Sequence, residues 1–199
     1  VVMGNCGVGF APCKPEDHET LIALMEGVEE IPGSAMDEGL PWTWESFPEF
    51  LDTLADRERD IDIAVLYPHG PLRVFVMGER AVNREIATPD DIASMQALLS
   101  EGVAAGAVGF ATSTLEQHNG ENGIPMPSRL ADEHEILQLT GALGEAGKGV
   151  FMLTKGMTTT VPFLEEVAAN NGRPIMIAAM FVDPNDPERV FREFSEIET

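Results

Sequence analysis

Residues 88–113 read TPDDIASMQALLSEGVAAGAVGFATS, and this stretch decides the fold class. Thr88 is suited to cap a helix, Pro89 fits the first helical turn, and the two aspartates that follow complement the helix dipole. The helix leads into the apolar run 107–113, which has the length of a buried strand. The stretch therefore predicts a helix followed by a strand, the repeating unit of an α/β protein.

The same alternation continues in both directions along the chain. Strands are predicted at 1–4, 61–68, 107–113, 149–154 and 173–182, and helices at 17–31, 48–57, 88–106, 130–147, 160–172 and within the tail 183–199. Residues 32–47, rich in Gly and Pro, and residues 69–86 are predicted as long connections without helices. Apolar strands separated by helices predict a parallel sheet that is covered on both faces. Two architectures fit: about strands two to six of an eight-stranded (β/α) TIM barrel, or a doubly wound five-stranded parallel sheet.

The composition excludes several classes of partner. The 199 residues include 12 Lys and Arg against 34 Asp and Glu, a formal net charge of −22. A surface this acidic repels nucleic acid and anionic membranes, and no apolar run approaches the ~20 residues that span a bilayer. The two cysteines fit neither a disulfide framework nor a zinc knuckle, so a reduced, cytoplasmic setting is expected.

Functional residues of either architecture gather where parallel strands end. The residues at those positions are Asn5, Cys6, His69, Thr112, Ser113, Thr154, Lys155 and Asp183. A cysteine between two glycines is open to a metal ion such as zinc, although a small buried side chain is the alternative. His69 is a candidate metal ligand or proton shuttle, and Arg73 can clamp a carboxylate; local hydrogen bonding and pairing with the abundant acids are the alternatives.

Common catalytic motifs are absent from the sequence. It contains no HxH, HExxH, GxSxG or GxxxxGK[ST], and only four scattered histidines. These histidines cannot build a complete histidine-rich metal site, so the essential groups of a metalloenzyme would lie outside this chain.

Four segments carry a family resemblance. They are VVMGNCGVGFAP, LMEGVEEIPGSAMDEGLPWTWESFPEFLDTL, PHGPLRVFVMGERA and AGAVGFATS. Together and in this order, the sequence resembles the N-acyl-D-amino-acid deacylase (D-aminoacylase) branch of the amidohydrolase superfamily, from Val1 to about Phe151. The resemblance implies a (β/α) barrel with one or two zinc ions, of which residues 1–199 form the central part. The N- and C-terminal portions, with an HxH ligand pair and the aspartate general base, would then lie outside this chain.

The resemblance also assigns individual residues. It places Cys6 as a zinc ligand, because the family has its metal-binding cysteine in the GNCG segment. His69 and Arg73 are expected to line the substrate site. The family's metal-binding histidines at the ends of barrel strands five and six have no counterpart, because those ends read FMLTKG and IAAMFVD. Lys155 is a candidate substitute there once carbamylated; an ordinary exposed lysine is the alternative.

The function that follows is hydrolysis of a linear amide, an N-acyl-D-amino acid, by a metal-activated water. The alternatives are an inactive barrel paralogue that binds acyl-amino acids or another small molecule, and a complete doubly wound domain with a binding role. The expected partners are the small-molecule substrate and the remainder of the protein's own chain. An open barrel exposes sheet edges, so we also expect this chain alone to aggregate or form a homo-oligomer, and to be inactive.

Overall fold

The computed structural model describes residues 1–197. Five strands form one sheet: β1 Val2–Met3, β2 Ala64–Pro68, β3 Gly109–Ser113, β4 Val150–Thr154 and β5 Ile175–Ile177. All five predicted strands are present, but the last is shorter than the apolar run 173–182 that predicted it. The predicted tail helix is present up to residue 197, and residues 198 and 199 lie outside the described part.

Helices connect the strands. Their bounds are α1 His18–Glu29, α2 Gly33–Gly39, α3 Phe47–Ala55, α4 His69–Met77, α5 Glu79–Val82, α6 Pro89–Ala105, α7 Glu133–Ala146, α8 Val161–Asn171 and α9 Arg189–Ile197. The helix predicted from residues 88–113 is confirmed: the Thr88 side chain accepts from Asp91 N and the Asp91 carboxylate accepts in return. Because this capping box satisfies otherwise free N–H groups, it fixes where α6 begins.

Two predicted connections are wrong, because both contain helices. Residues 32–47 include α2, which begins and ends at glycines. Residues 69–86 include α4 and α5, and Pro71 lies in the first turn of α4. Proline is tolerated there because the first N–H groups of a helix have no partner within the helix. Glycine and proline thus mark helix ends here rather than loops.

The strand order decides between the two predicted architectures. The order is β1-β2-β3-β4-β5, and every neighbouring pair is parallel. A doubly wound sheet would reverse its order at a switch point, whereas a barrel adds its strands in sequence. The sheet is therefore an open part of a barrel with β1 and β5 at its edges, and the doubly wound alternative is wrong.

The outer face of the sheet is covered by helices. Helices α3, α6, α7 and α8 contact one another in sequence along this face. Tyr67 of β2 stacks on Phe47 of α3 with ring centroids 4.1 Å apart, and Phe110 and Phe151 of the next two strands are fully buried. A side chain at Gly102 of α6 would bring its Cβ within 2.3 Å of the Tyr67 ring, so glycine permits this close approach.

The inner face carries a much smaller apolar cluster. Leu66, Ala111 and Met152, one from each of β2, β3 and β4, are buried together, and Cys6 packs against them. At the edge strand β5, Met176 is 41% exposed. Among residues 1–197, no helix has the length and apolar character to cross a membrane.

Candidate active-site edge

The thiol of Cys6 lies over the inner face, just past β1. The short helical turn Asn5–Gly7 holds Cys6 at φ 59°, a left-handed conformation that a residue with a Cβ adopts at a cost of about 1–2 kcal/mol. Gly7 approaches β3 so closely that an added Cβ would lie 2.6 Å from the Ala111 carbonyl oxygen. The turn is therefore pressed against the sheet, and it keeps the half-buried, unoxidised thiol beside the inner-face cluster.

His69 and Arg73 belong to a buried ion network on the opposite side of β3. Both side chains are fully buried, and both bind the carboxylate of Glu135 on α7. His69 Nε2 lies 2.8 Å from Glu135 Oε1, and Nδ1 lies 2.8 Å from Thr112 Oγ1. Arg73 also donates to the Glu85 carbonyl oxygen at 2.9 Å. The network therefore joins the carboxyl ends of β2 and β3 to α4 and α7.

The protonation of this network follows from its burial. Burial lowers the pKa of His69 below its ordinary value, although the Glu135 carboxylate opposes the shift. For Glu135, burial opposes ionisation, but hydrogen bonds and charges from His69 and Arg73 outweigh it and its pKa is lowered. A neutral imidazole beside a carboxylate must donate through Nε2, so Thr112 donates its hydroxyl hydrogen to Nδ1. Thus the Glu135 carboxylate neutralises Arg73, and His69 stays neutral.

The prediction that His69 and Arg73 line a substrate site stays a prediction. Neither side chain has surface exposed in the described structure, and their polar contacts are with Glu135, Thr112 and Glu85. These contacts agree with the alternative interpretations, in which His69 is held by hydrogen bonds and Arg73 pairs with an acidic side chain. Glu135 was not among the residues predicted from the sequence. The sequence feature that could have identified it is its position four residues before Leu139, which places a carboxylate on the apolar stripe of α7.

Ser113 and His118 form a second polar pair at the end of β3. Ser113 Oγ lies 2.7 Å from His118 Nδ1 and accepts from Leu115 N at 3.2 Å. Burial lowers the pKa of His118, with a nearby glutamate opposing and Arg129 adding to the shift. His118 is half-buried, whereas His134 on α7 is exposed.

Thr154 and Lys155 end β4 in different environments. Thr154 is aligned with Ser113 across the sheet, and its buried Oγ1 has no hydrogen-bond partner within residues 1–197. Lys155 is buried, and its Nζ lies 2.9 Å from Oε1 of Glu193 on α9. The alternative of an ordinary exposed lysine is therefore wrong, since its charge is paired inside the protein. Asp183, past β5, accepts from Asn185 N in a local turn.

A cavity of about 450 Å³ lies beside β1. Its walls are mostly apolar and include Phe10, Trp44 and Phe50, with Glu29 and Arg57 as charged members. Trp44 donates its indole N–H to the Phe10 carbonyl oxygen at 2.7 Å, so this tryptophan both anchors its segment and forms part of a cavity wall.

The residues described here do not build a complete metal site. No group of three His, Cys, Asp or Glu side chains within residues 1–197 is placed to hold an ion. Protein zinc sites use three or four such ligands. Cys6 as a zinc ligand therefore stays a prediction, and a metal site would need ligands beyond this set.

Two known deacylases are similar to this chain in sequence. The chain is 29% identical over 147 residues to the D-aminoacylase of Alcaligenes xylosoxydans xylosoxydans and 32% identical over 148 residues to that organism's N-acyl-D-aspartate deacylase. Each match covers 74% of this chain but only 26% and 25% of the relative, so the chain spans about a quarter of their length. No protein-family profile matches the chain.

Solved structures of such enzymes share the fold. A D-aminoacylase described as having a binuclear metal centre matches 89% of this chain and 33% of its own, at 26% identity and a TM-score of 0.60. The N-acyl-D-glutamate deacylase from Bordetella bronchiseptica, solved with zinc and a phosphonate inhibitor, matches 100% of this chain and 38% of its own. At 21% identity and a TM-score of 0.72, the second match supports the fold alone. Sequence and fold together show that this chain resembles the D-aminoacylases and N-acyl-D-amino-acid deacylases over 74% of its length.

Proposed function

We propose that this chain is the central part of a metal-dependent amidohydrolase barrel that hydrolyses a linear amide, with N-acyl-D-amino acids as the substrate class. The observation that carries the proposal is the Cys6 thiol, held by a left-handed turn on the inner face of a sequentially ordered sheet. Similarity to deacylases over 74% of the chain supports the substrate class. The remaining ligands and the general base would come from outside residues 1–199.

Zinc in hydrolases supplies an activated water and polarises the scissile carbonyl. Cys6 would contribute one sulfur ligand, and the Asn5–Gly7 turn would fix its direction. The unpaired Thr154 hydroxyl lies at the same edge of the sheet and can donate or accept one hydrogen bond to a substrate. His69 and Arg73 would act through Glu135 by holding the ends of β2 and β3 in place.

The test measures zinc and deacylation together in the full-length protein expressed from the flanking coding sequence. We expect Cys6→Ala to lower zinc per chain and to reduce hydrolysis of N-acyl-D-amino acids at least about tenfold, because a metal ligand is lost. Cys13→Ala, at a buried cysteine that packs in the outer core, is the matched control and should retain zinc. Unchanged zinc occupancy in Cys6→Ala would remove this cysteine from the proposed role.

A second candidate function is a barrel paralogue that binds acyl-amino acids without hydrolysing them. It is favoured by the lack of a three-ligand cluster within residues 1–197 and by Thr154 and Lys155 at a strand end where the related enzymes are expected to have histidine. Full-length protein that contains no zinc, binds an N-acyl-D-amino acid and never releases product would establish this candidate over the first.

A further inference from the structure

A small cavity opens where β4 and β5 end. It has a volume of about 200 Å³, and its walls include Leu115, Met157, Phe181, Asp183, Lys155 and Glu193. This volume is below the usual range for drug-sized ligands, which is ~300–1,000 Å³. The cavity therefore suits a molecule of a few heavy atoms, with an apolar part against the methionine and phenylalanine and a polar part against the charged groups.

Two cations meet one carboxylate at this cavity. Lys155 Nζ and Arg189 Nε each lie 2.9 Å from the same oxygen, Oε1 of Glu193. The Lys155 side chain is 4% exposed and that of Glu193 is 14% exposed. Burial opposes ionisation of Glu193, but hydrogen bonds from Lys155 and Arg189 outweigh it and its pKa is lowered. The geometry is therefore that of a carboxylate bound by two positive side chains.

The carboxylate of Glu193 belongs to α9, a helix that buries little of its surface. Val190 is the buried residue of α9, whereas Phe191 and Phe194 are 62% and 49% exposed. Lys155 instead belongs to the end of a central strand, and Arg189 is fixed by donating to the Met157 carbonyl oxygen. A buried ammonium group needs an anionic partner, but that partner can be any carboxylate that reaches it.

We propose that Lys155 and Arg189 form a binding site for the carboxylate of a small ligand, and that Glu193 fills the place of that carboxylate in this structure. The site lies at the edge of the sheet formed by the carboxyl ends of the strands, and Lys155 directly follows β4. An N-acyl amino acid has one carboxylate beside a short apolar part, which matches the cavity. This choice of ligand rests on the proposed function, whereas carboxylate binding itself does not.

The test titrates the full-length protein with N-acetylglycine by isothermal titration calorimetry, with N-acetylglycinamide as the uncharged probe. Wild type should bind the acid and not the amide. Glu193→Gln should bind the acid about five- to tenfold more tightly, because both cations lose their internal partner. Lys155→Met should lose the binding. Arg192→Gln, which changes an exposed residue of α9, is the matched control and should behave as wild type.

The outcomes separate the alternatives. Equal affinity for the acid and the amide would overturn the site. So would an unchanged affinity of Glu193→Gln for the acid, provided that thermal melting shows the variant to be folded. In either case the contact of Glu193 with Lys155 and Arg189 would be a structural ion pair only. If Glu193→Gln does not fold, the preference of wild type for acid over amide decides the question. Neither readout requires zinc or turnover, so a failure here is distinguishable from a failure of the proposed hydrolysis.

Discussion

The two faces of the sheet differ in how completely the chain covers them. On the outer face, four helices bury aromatic side chains and an ion network in which His69 and Arg73 are fully buried. On the inner face, three buried side chains and one thiol form the apolar cluster, Met176 is exposed, and the Thr154 hydroxyl is unpaired within the described chain. The outer face holds most of the buried side chains, and the Thr154 hydroxyl gives the inner face a group with unused bonding capacity.

This difference separates stability from chemistry. Buried area and satisfied polar groups contribute to the free energy of unfolding, and both are concentrated outside. Cys6 at φ 59° and the unpaired Thr154 hydroxyl, both at inner strand ends, add little to stability, whereas the unpaired group of the outer network is the buried Arg73 Nε. Substitutions on the two faces should therefore have unequal effects on unfolding.

The largest effect is expected at the outer ion network. Glu135→Gln removes the negative charge that two buried side chains share, which leaves Arg73 uncompensated. Breaking a buried pair in this way costs about 3–5 kcal/mol. Urea unfolding followed by circular dichroism measures the change in the free energy of unfolding.

Glu133→Gln is the matched control for this substitution. It makes the same chemical change at an exposed position two residues earlier on α7, where the first-turn charge contributes about 0.3–1 kcal/mol. A loss below about 1 kcal/mol for Glu135→Gln would show that the network does not anchor the outer face.

The next effect compares one side chain on each face. Leu139→Ala removes a fully buried side chain of α7 and should cost about 2–5 kcal/mol, since a cavity remains in the outer core. Met176→Ala, on the inner side of β5, should cost less than about 1 kcal/mol because the side chain is 41% exposed. Similar losses for the two variants in urea unfolding would contradict the unequal faces.

The sequence predicted the elements of the fold better than their arrangement. The five strands and the α6 capping box follow from local signals, namely apolar runs and the spacing of Thr88 and Asp91. The helix α4 was missed because Gly70 and Pro71 resemble a loop signal, although proline is harmless in a first turn. Local signals alone left the strand order open between two architectures, because it depends on contacts between distant segments, and the family resemblance supplied the barrel order that the structure shows.

The candidate site shows the same limit. Cys6 was found from its position at a strand end, which is local information. Glu135, the hydrogen-bond partner of His69, lies 66 residues away on α7, so no sequence spacing could reveal this contact. Lys155 was considered as an exposed residue because the sequence does not show that α9 returns to cover it.

The smallest effect is expected when the pH falls. Burial places the pKa of folded His69, and that of His118, below the ordinary value of 6.5, so the unfolded chain binds protons that the folded chain does not. Stability from these groups is therefore fully present above pH 6.5 and is lost as the pH falls through the range below it, by at most about 1.4 kcal/mol per pH unit for each proton. Below its ordinary value of 4.5, Glu135 adds to the loss because its pKa is also lowered.

Urea unfolding at pH 8, 7, 6 and 5 measures this dependence. His69→Gln should be less stable at pH 8 and should lose less stability on acidification, because one of the two titrating imidazoles is gone. His134→Gln changes an exposed histidine and should follow the wild-type curve. If wild type were equally stable at pH 8 and pH 5, His69 would already be charged in the folded protein. The outer face would then hold two cations against one carboxylate, and its ion network would not stabilise the fold as inferred from the burial of His69 and Arg73.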